Sequence, residues 1–155
     1  MKLKAKDYLF IGLVIICSVL FAYQKLFNSD DENKIIPRHI TAMVGHTTIR
    51  ADVAQTPEEM HEGLGGRESM GKDKGMLFIH ELPGRHKYGM RGMLFDLDLI
   101  FIKDGVVVDI AKSVSTKYKG KIEGGDDYNY VLEMNADWVR KNDIKIGDKF
   151  ISEDL

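Results

Sequence analysis

The sequence predicts an all-β domain, a compact β-sandwich or barrel with two short helices, preceded by one N-terminal transmembrane helix. Three observations lead there. About eight short β-rich runs are separated by turn signals, only two segments carry helix signals, and 17 consecutive residues near the N-terminus lack charge. An open parallel sheet would need crossover helices between its strands, and two short helices are too few.

The uncharged stretch is "YLFIGLVIICSVLFAYQ", residues 8–24. As a helix it spans roughly 25 Å at about 1.5 Å per residue. Lys6 and Lys25 can snorkel at its ends to reach across the hydrocarbon layer. Lys2, Lys4 and Lys6 precede the span and the acidic "NSDDEN" follows it. The positive-inside bias then places the N-terminus in the cytoplasm and the domain outside. Residues 1–27 are therefore expected to be a signal anchor in a single-pass membrane protein. Leu20 is a poor small-residue match for cleavage after Ala22, so an uncleaved anchor is favoured over a secreted form. Residues 28–37 have linker composition and residues 38–155 form the extracytoplasmic domain.

The β runs follow in order. "HITAMV" (39–44) and "TTIRADVA" (47–54) flank Gly45-His46, a hairpin turn beginning with glycine. Thr56, Pro57 and Glu59 form an N-cap, a first helical residue and a capping box, and Gly63 with Gly65-Gly66 ends this helix. "GMLFI" (75–79) reads as a buried strand, and "HELPGRHK" as a loop. Leu97–Lys103 and Val106–Lys112 are the arms of a hairpin turning at Asp104-Gly105. "KGKIEGGDD" (119–127) reads as a mobile loop, and the alternating "YNYVLEM" (128–134) as a strand. Asn135 is expected to cap a helix at 136–142, with Asn142 in the left-handed C-terminal position. "IKIGDKFIS" holds a turn and the last strand.

Charge excludes one class of partner. Beyond residue 27 the chain carries 18 basic and 23 acidic residues, a net of −5. That opposes binding to nucleic acid or to anionic lipid through the domain. Cys17, inside the apolar span, is the only cysteine, so the domain has neither a disulfide nor a thiolate nucleophile. Nucleophile elbow, phosphate-loop and dinucleotide signatures are absent. No catalytic residue, metal site or cofactor is indicated.

Three segments carry a family likeness: "TPEEMHEGLGGRESMGKDKGMLFI" (56–79), "YGMRGMLFDLDLIFI" (88–102) and "YVLEMNADWVRKNDIKIGDK" (130–149). Together, in this order, they resemble the domain of unknown function 192 family over roughly residues 38–152. The resemblance implies a mostly β domain of sandwich type, often secreted or membrane-tethered, and it implies no activity. The middle segment departs from the family pattern. Met90 and Asp98 match, but Gly89 stands where the family has Trp, Arg91 where it has Lys, Gly92 where it has Asn and Asp96 where it has Pro. If the family's Trp and Asn line a pocket, this chain's pocket is wider or gone. The two glycines also suggest a bend or bulge into the sheet.

Five residues form the candidate ligand site: Arg67, Met90, Arg91, Asp98 and Glu133. The fork of Arg67 suits a carboxylate or phosphate, or an internal pair with Glu68, Asp98 or Glu133. Asp96 and Asp98 would share a strand face, although Asp96 also suits a cap on the preceding loop. Asp98, between Leu97 and Leu99, needs a partner if buried. Glu133 shares a face with Val131 and turns inward if Val131 does. His80 and His86 have no metal-ligand spacing and read as exposed loop histidines. The methionines read as core filling and Trp138 as a core anchor.

The functional expectation is a small-ligand-binding or accessory module of the cell envelope, with a polar ligand such as a saccharide or carboxylate. One alternative is a structural or assembly partner for an envelope protein. Another is a hydrolase of envelope polymers using Asp98 and Glu133, which requires both carboxyls in one cleft.

Overall fold

The computed structural model describes residues 38–155. The expected anchor at 1–27 and linker at 28–37 lie outside the described residues. The elements are β1 (His39–Val44), β2 (Thr47–Ala54), α1 (Pro57–Glu62), β3 (Lys74–Gly84), β4 (Leu97–Lys103), β5 (Val106–Val114), β6 (Tyr128–Asn135), α2 (Trp138–Lys141) and β7 (Phe150–Ile151).

The domain is mainly β with two short helices, as expected, but it is not a sandwich. All seven strands, one fewer than the sequence suggests, belong to one sheet in the order β5-β4-β6-β3-β2-β1-β7. The sheet curls into a half-barrel. Its two outermost strands meet at one corner, where Phe150 N donates to Gly105 O at 2.9 Å and Val107 N to Asp148 O at 2.9 Å. The rest of β5 pairs with β4 alone. One neighbour pair, β2 and β3, is parallel. The connection between them holds α1 and a glycine-rich loop, so even this short helix serves as a crossover.

Local chemistry explains most element ends. Thr56 Oγ1 accepts from Glu59 N, and Glu59 Oε2 accepts from the Thr56 and Gln55 N–H groups, completing the expected capping box. Gly63 ends α1 at φ +52. The second helix differs from expectation. It is shorter, and its N-cap is Asp137 in the left-handed region, with no side-chain cap. Asn135 instead donates its amide to the Met70 and Gly71 carbonyls, at 3.1 and 3.0 Å. The left-handed residue at its far end is Asp143, at φ +53, rather than Asn142.

The two faces of the curled sheet bury separate apolar clusters. One draws Ile40, Ile49, Leu77, Ile100, Val107, Leu132 and Phe150 from all seven strands, with Trp138 and Val139 from α2. Contributions from every strand mark it as the inner face. The other gathers Met76, Phe78, Leu99, Phe101 and Val131 beneath Leu64 and Met90. Strand β4, next to the β5 edge, is thus covered on both faces, with six of its seven residues buried. Double coverage explains its nearly continuous apolar run.

Candidate ligand cleft

Strand register places Glu133. Residues facing one another across adjacent strands share a side of the sheet. Asp52, Met76, Glu133 and Leu99 therefore form one row on the outer face. Asp98 faces Met134, so it points to the inner face. The two carboxylates lie on opposite sides of the sheet, so the Asp98–Glu133 pair that the hydrolase alternative requires does not exist.

Over this row opens a cleft of about 730 Å³. One wall is the end of α1 and the glycines after it, Met60 to Gly65; the facing wall is the 86–93 loop. The walls meet where Gly66 N donates to Gly92 O at 2.9 Å. Both glycines sit at positive φ, +73 and +77, a conformation that favours glycine. The second wall is also pinned from below. Tyr88 and Ile122 exchange backbone hydrogen bonds of 2.8 and 3.0 Å. Gly89 lines the cleft, and a Cβ there would meet nothing within 4 Å.

Glu133 forms the floor. It is 6 % exposed, and no group among the described residues hydrogen-bonds its carboxyl. Its oxygens open on the cleft instead. Burial alone pushes its pKa up to about 8, so at neutral pH it is mostly a neutral acid. Beside it stands a group of rings. His80 and His86 stack in parallel with centroids 3.5 Å apart. His80 Nε2 shares a 2.7 Å hydrogen bond with the Tyr88 hydroxyl, and Phe78 meets Tyr88 edge-on at 5.2 Å. Burial, then the neighbouring His86, lowers His80 to about 4. Burial, with Glu133 and Tyr128 nearby, raises Tyr88 well above an ordinary phenol.

The mouth is cationic. Lys87, Arg91 and Lys121 line it, and none forms an ion pair among the described residues. Glu62 is the acid on the opposite wall.

The five sequence candidates therefore separate. Glu133 and Arg91 line the cleft. Met90 is 4 % exposed and packs in the outer core beneath the loop. Arg67 bonds to Asp52 at 2.7 Å, not to Glu68, Asp98 or Glu133, and lines a smaller recess of about 250 Å³ next to the cleft. Burial raises the Asp52 pKa, but bonds from Arg67 and His39 outweigh it and hold that carboxyl below its usual range. Asp98 is fully buried and accepts from Ser113 N at 2.6 Å and Val139 N at 2.8 Å. It ties β5 and α2 to β4, which is the partner its burial demanded. Asp96 caps the loop that follows β5, accepting from Thr116 N at 2.7 Å.

The sequence reading missed His80, His86 and Tyr88. A signal was available, since His80 continues the alternation of Met76 and Phe78 on the outer face. Strand β3 runs on to Gly84, past the expected end at Ile79. The "EGGDD" stretch is also more tightly held than expected: Arg85 bonds to Gly124 O and Glu123, and Asp109 accepts from Gly125 N.

A family model described as an uncharacterized ACR, DUF192, matches residues 39–151. The chain belongs to the DUF192 family. Two crystal structures are similar to this DUF192 domain. One, from Sinorhizobium meliloti, is a putative transcription regulator, 25 % identical, with a TM-score of 0.71 over 76 % of this chain and 95 % of that one. The other, a protein of unknown function from Novosphingobium aromaticivorans, is 28 % identical, with a TM-score of 0.70 over 73 % of this chain and 84 % of that one. No curated protein matches the chain.

Proposed function

We propose that this DUF192 chain is a membrane-anchored, extracytoplasmic binding module of the cell envelope, holding a small polar ligand in the cleft above Glu133. The observation that carries this is the nearly buried Glu133 carboxyl, which opens on the cleft and receives no protein hydrogen bond, beneath a cationic rim without ion pairs among the described residues. A carboxyl so far removed from water is poorly solvated, and a ligand that hydrogen-bonds it offsets that cost. The cleft volume, about 730 Å³, lies within the range of small-molecule sites. The anchor rests on residues 8–24 and their flanking lysines. A net charge of −5 beyond residue 27 opposes duplex phosphate and argues against a role at DNA. A hydrolase pair of Asp98 and Glu133 is excluded by their opposite faces.

The test is thermal shift of the full-length chain against a panel of metabolites and glycans, beside a Gly89→Trp variant whose indole would fill the cleft. Binding to the native chain and not to the variant supports the module. Equal shifts in both, or no shift with any compound, sink it. Reporter fusions before and after residues 8–24 test the anchor, with the domain expected outside.

A further inference from the structure

Resting on that reading of the cleft, we propose that its ligand is a small zwitterion, with a cationic ammonium group seated on Glu133 and an anionic group held at the mouth by Arg91, Lys87 and Lys121. The two ends of the cleft differ in kind. The floor holds a carboxyl that is nine-tenths buried, faces the cleft and receives no hydrogen bond from the described residues. The mouth holds three exposed cations without ion pairs among the described residues. A simple anion would satisfy the mouth and leave the floor unpaired. A simple cation would satisfy the floor but must pass a mouth of its own sign. Only a molecule carrying both charges meets both ends.

The walls agree with an ammonium at depth. Phe78, His80, His86 and Tyr88 line the cleft beside Glu133. Ring faces attract a desolvated cation, and a charge-assisted bond to a carboxylate is about twice as strong as a neutral one. A neutral hydroxyl ligand would use neither advantage.

Seating an ammonium requires Glu133 to ionise, so binding must expel a proton. The charged and titratable groups around it come from each neighbouring element. From α1 they are His61 and Glu62, and from β3 His80. The 86–93 loop presents His86, Lys87, Tyr88 and Arg91, and the segment before β6 presents Lys121. Asp52 lies in the same row behind Met76, already neutralised by Arg67. Burial raises the Glu133 carboxyl to about 8, so it carries a proton near pH 7 and gives it up when the ammonium is seated.

The test is calorimetric titration of the full-length chain with ω-amino acids of graded length, each matched by the amine and the carboxylate of the same length and by a neutral polyol. Each titration is run at pH 7 in two buffers of different ionisation enthalpy. The expected result is one amino-acid length binding at least ten-fold tighter than its amine and carboxylate, with close to one proton released per ligand. Glu133→Gln should abolish the proton release and reduce affinity to that of the carboxylate. Arg91→Ala should reduce it toward that of the amine. If the polyol or the carboxylate binds as tightly as the amino acid, or if no proton is released, the zwitterion proposal is overturned while the ligand cleft stands. If no compound binds, both are overturned.

Discussion

Replacing Glu133 by Gln should make the domain more stable, and by an amount that grows with pH. The unfolded chain releases the Glu133 proton near 4.5, whereas the folded domain keeps it to about 8. Between these values the native state binds one more proton than the unfolded state, so stability falls as pH rises. The slope is about 1.36 kcal/mol per pH unit. Across roughly 3.5 units the loss reaches at most about 5 kcal/mol, a large part of the 5–15 kcal/mol typical of a domain. Glutamine matches the protonated acid in shape and has no proton to lose. Variant and native chain should therefore agree near pH 4.5 and diverge until about pH 8. Trp138, the only tryptophan and 2 % exposed, reports unfolding of this domain. Urea titrations followed by its fluorescence, from pH 5 to 9, give both curves at constant slope in denaturant. Parallel curves, or a variant less stable at pH 8, would refute a buried, unpaired carboxyl.

Three further outcomes are expected. Asp98→Ala leaves the Val139 and Ser113 N–H groups without their acceptor and should cost about 3–5 kcal/mol; equilibrium unfolding checks this, and ligand affinity should not change because the side chain faces the inner core. His80 is held near 4 when folded against 6.5 unfolded, so its contribution is lost as pH falls from 6.5 through 4; His80→Gln should flatten that acid limb of the stability profile. Gly75→Ala should destabilise strongly, since a Cβ there would come within 2.5 Å of Met134 Sδ and 2.7 Å of Glu133 O, whereas Gly89→Ala should leave the melting temperature unchanged.

Much of the fold was legible because short-range chemistry dictated it. Thr56 and Glu59 announced a capping box, and Asp104-Gly105 announced a hairpin, with φ +49 and +72 in the structure. Sheet order was not legible. Nothing local in β2 or β3 specifies that they pair in parallel, because that depends on where the α1 crossover returns the chain. The closing corner at Gly105 and Phe150 joins residues far apart in sequence, so sandwich and curled sheet look alike in a strand list. The site was half legible for the same reason. Alternation through Val131 brought Glu133 to notice, but which side of the sheet each carboxylate faces is a property of register. Asp98 looked functional because a buried acid needs partners, and backbone N–H groups from two distant segments supply them.

The two walls of the cleft have a consequence for how the domain assembles. One wall belongs to the crossover that makes β2 and β3 parallel; the other rests on Ile122, just before β6. Neither wall can reach Glu133 until β3 and β6 have paired, and beside Glu133 that pairing joins Met76 and Glu133, 57 positions apart. The cleft is therefore a late product of folding and has no counterpart in the unfolded chain. Whatever occupies it should slow amide exchange throughout β3 and β6 rather than in the loops alone.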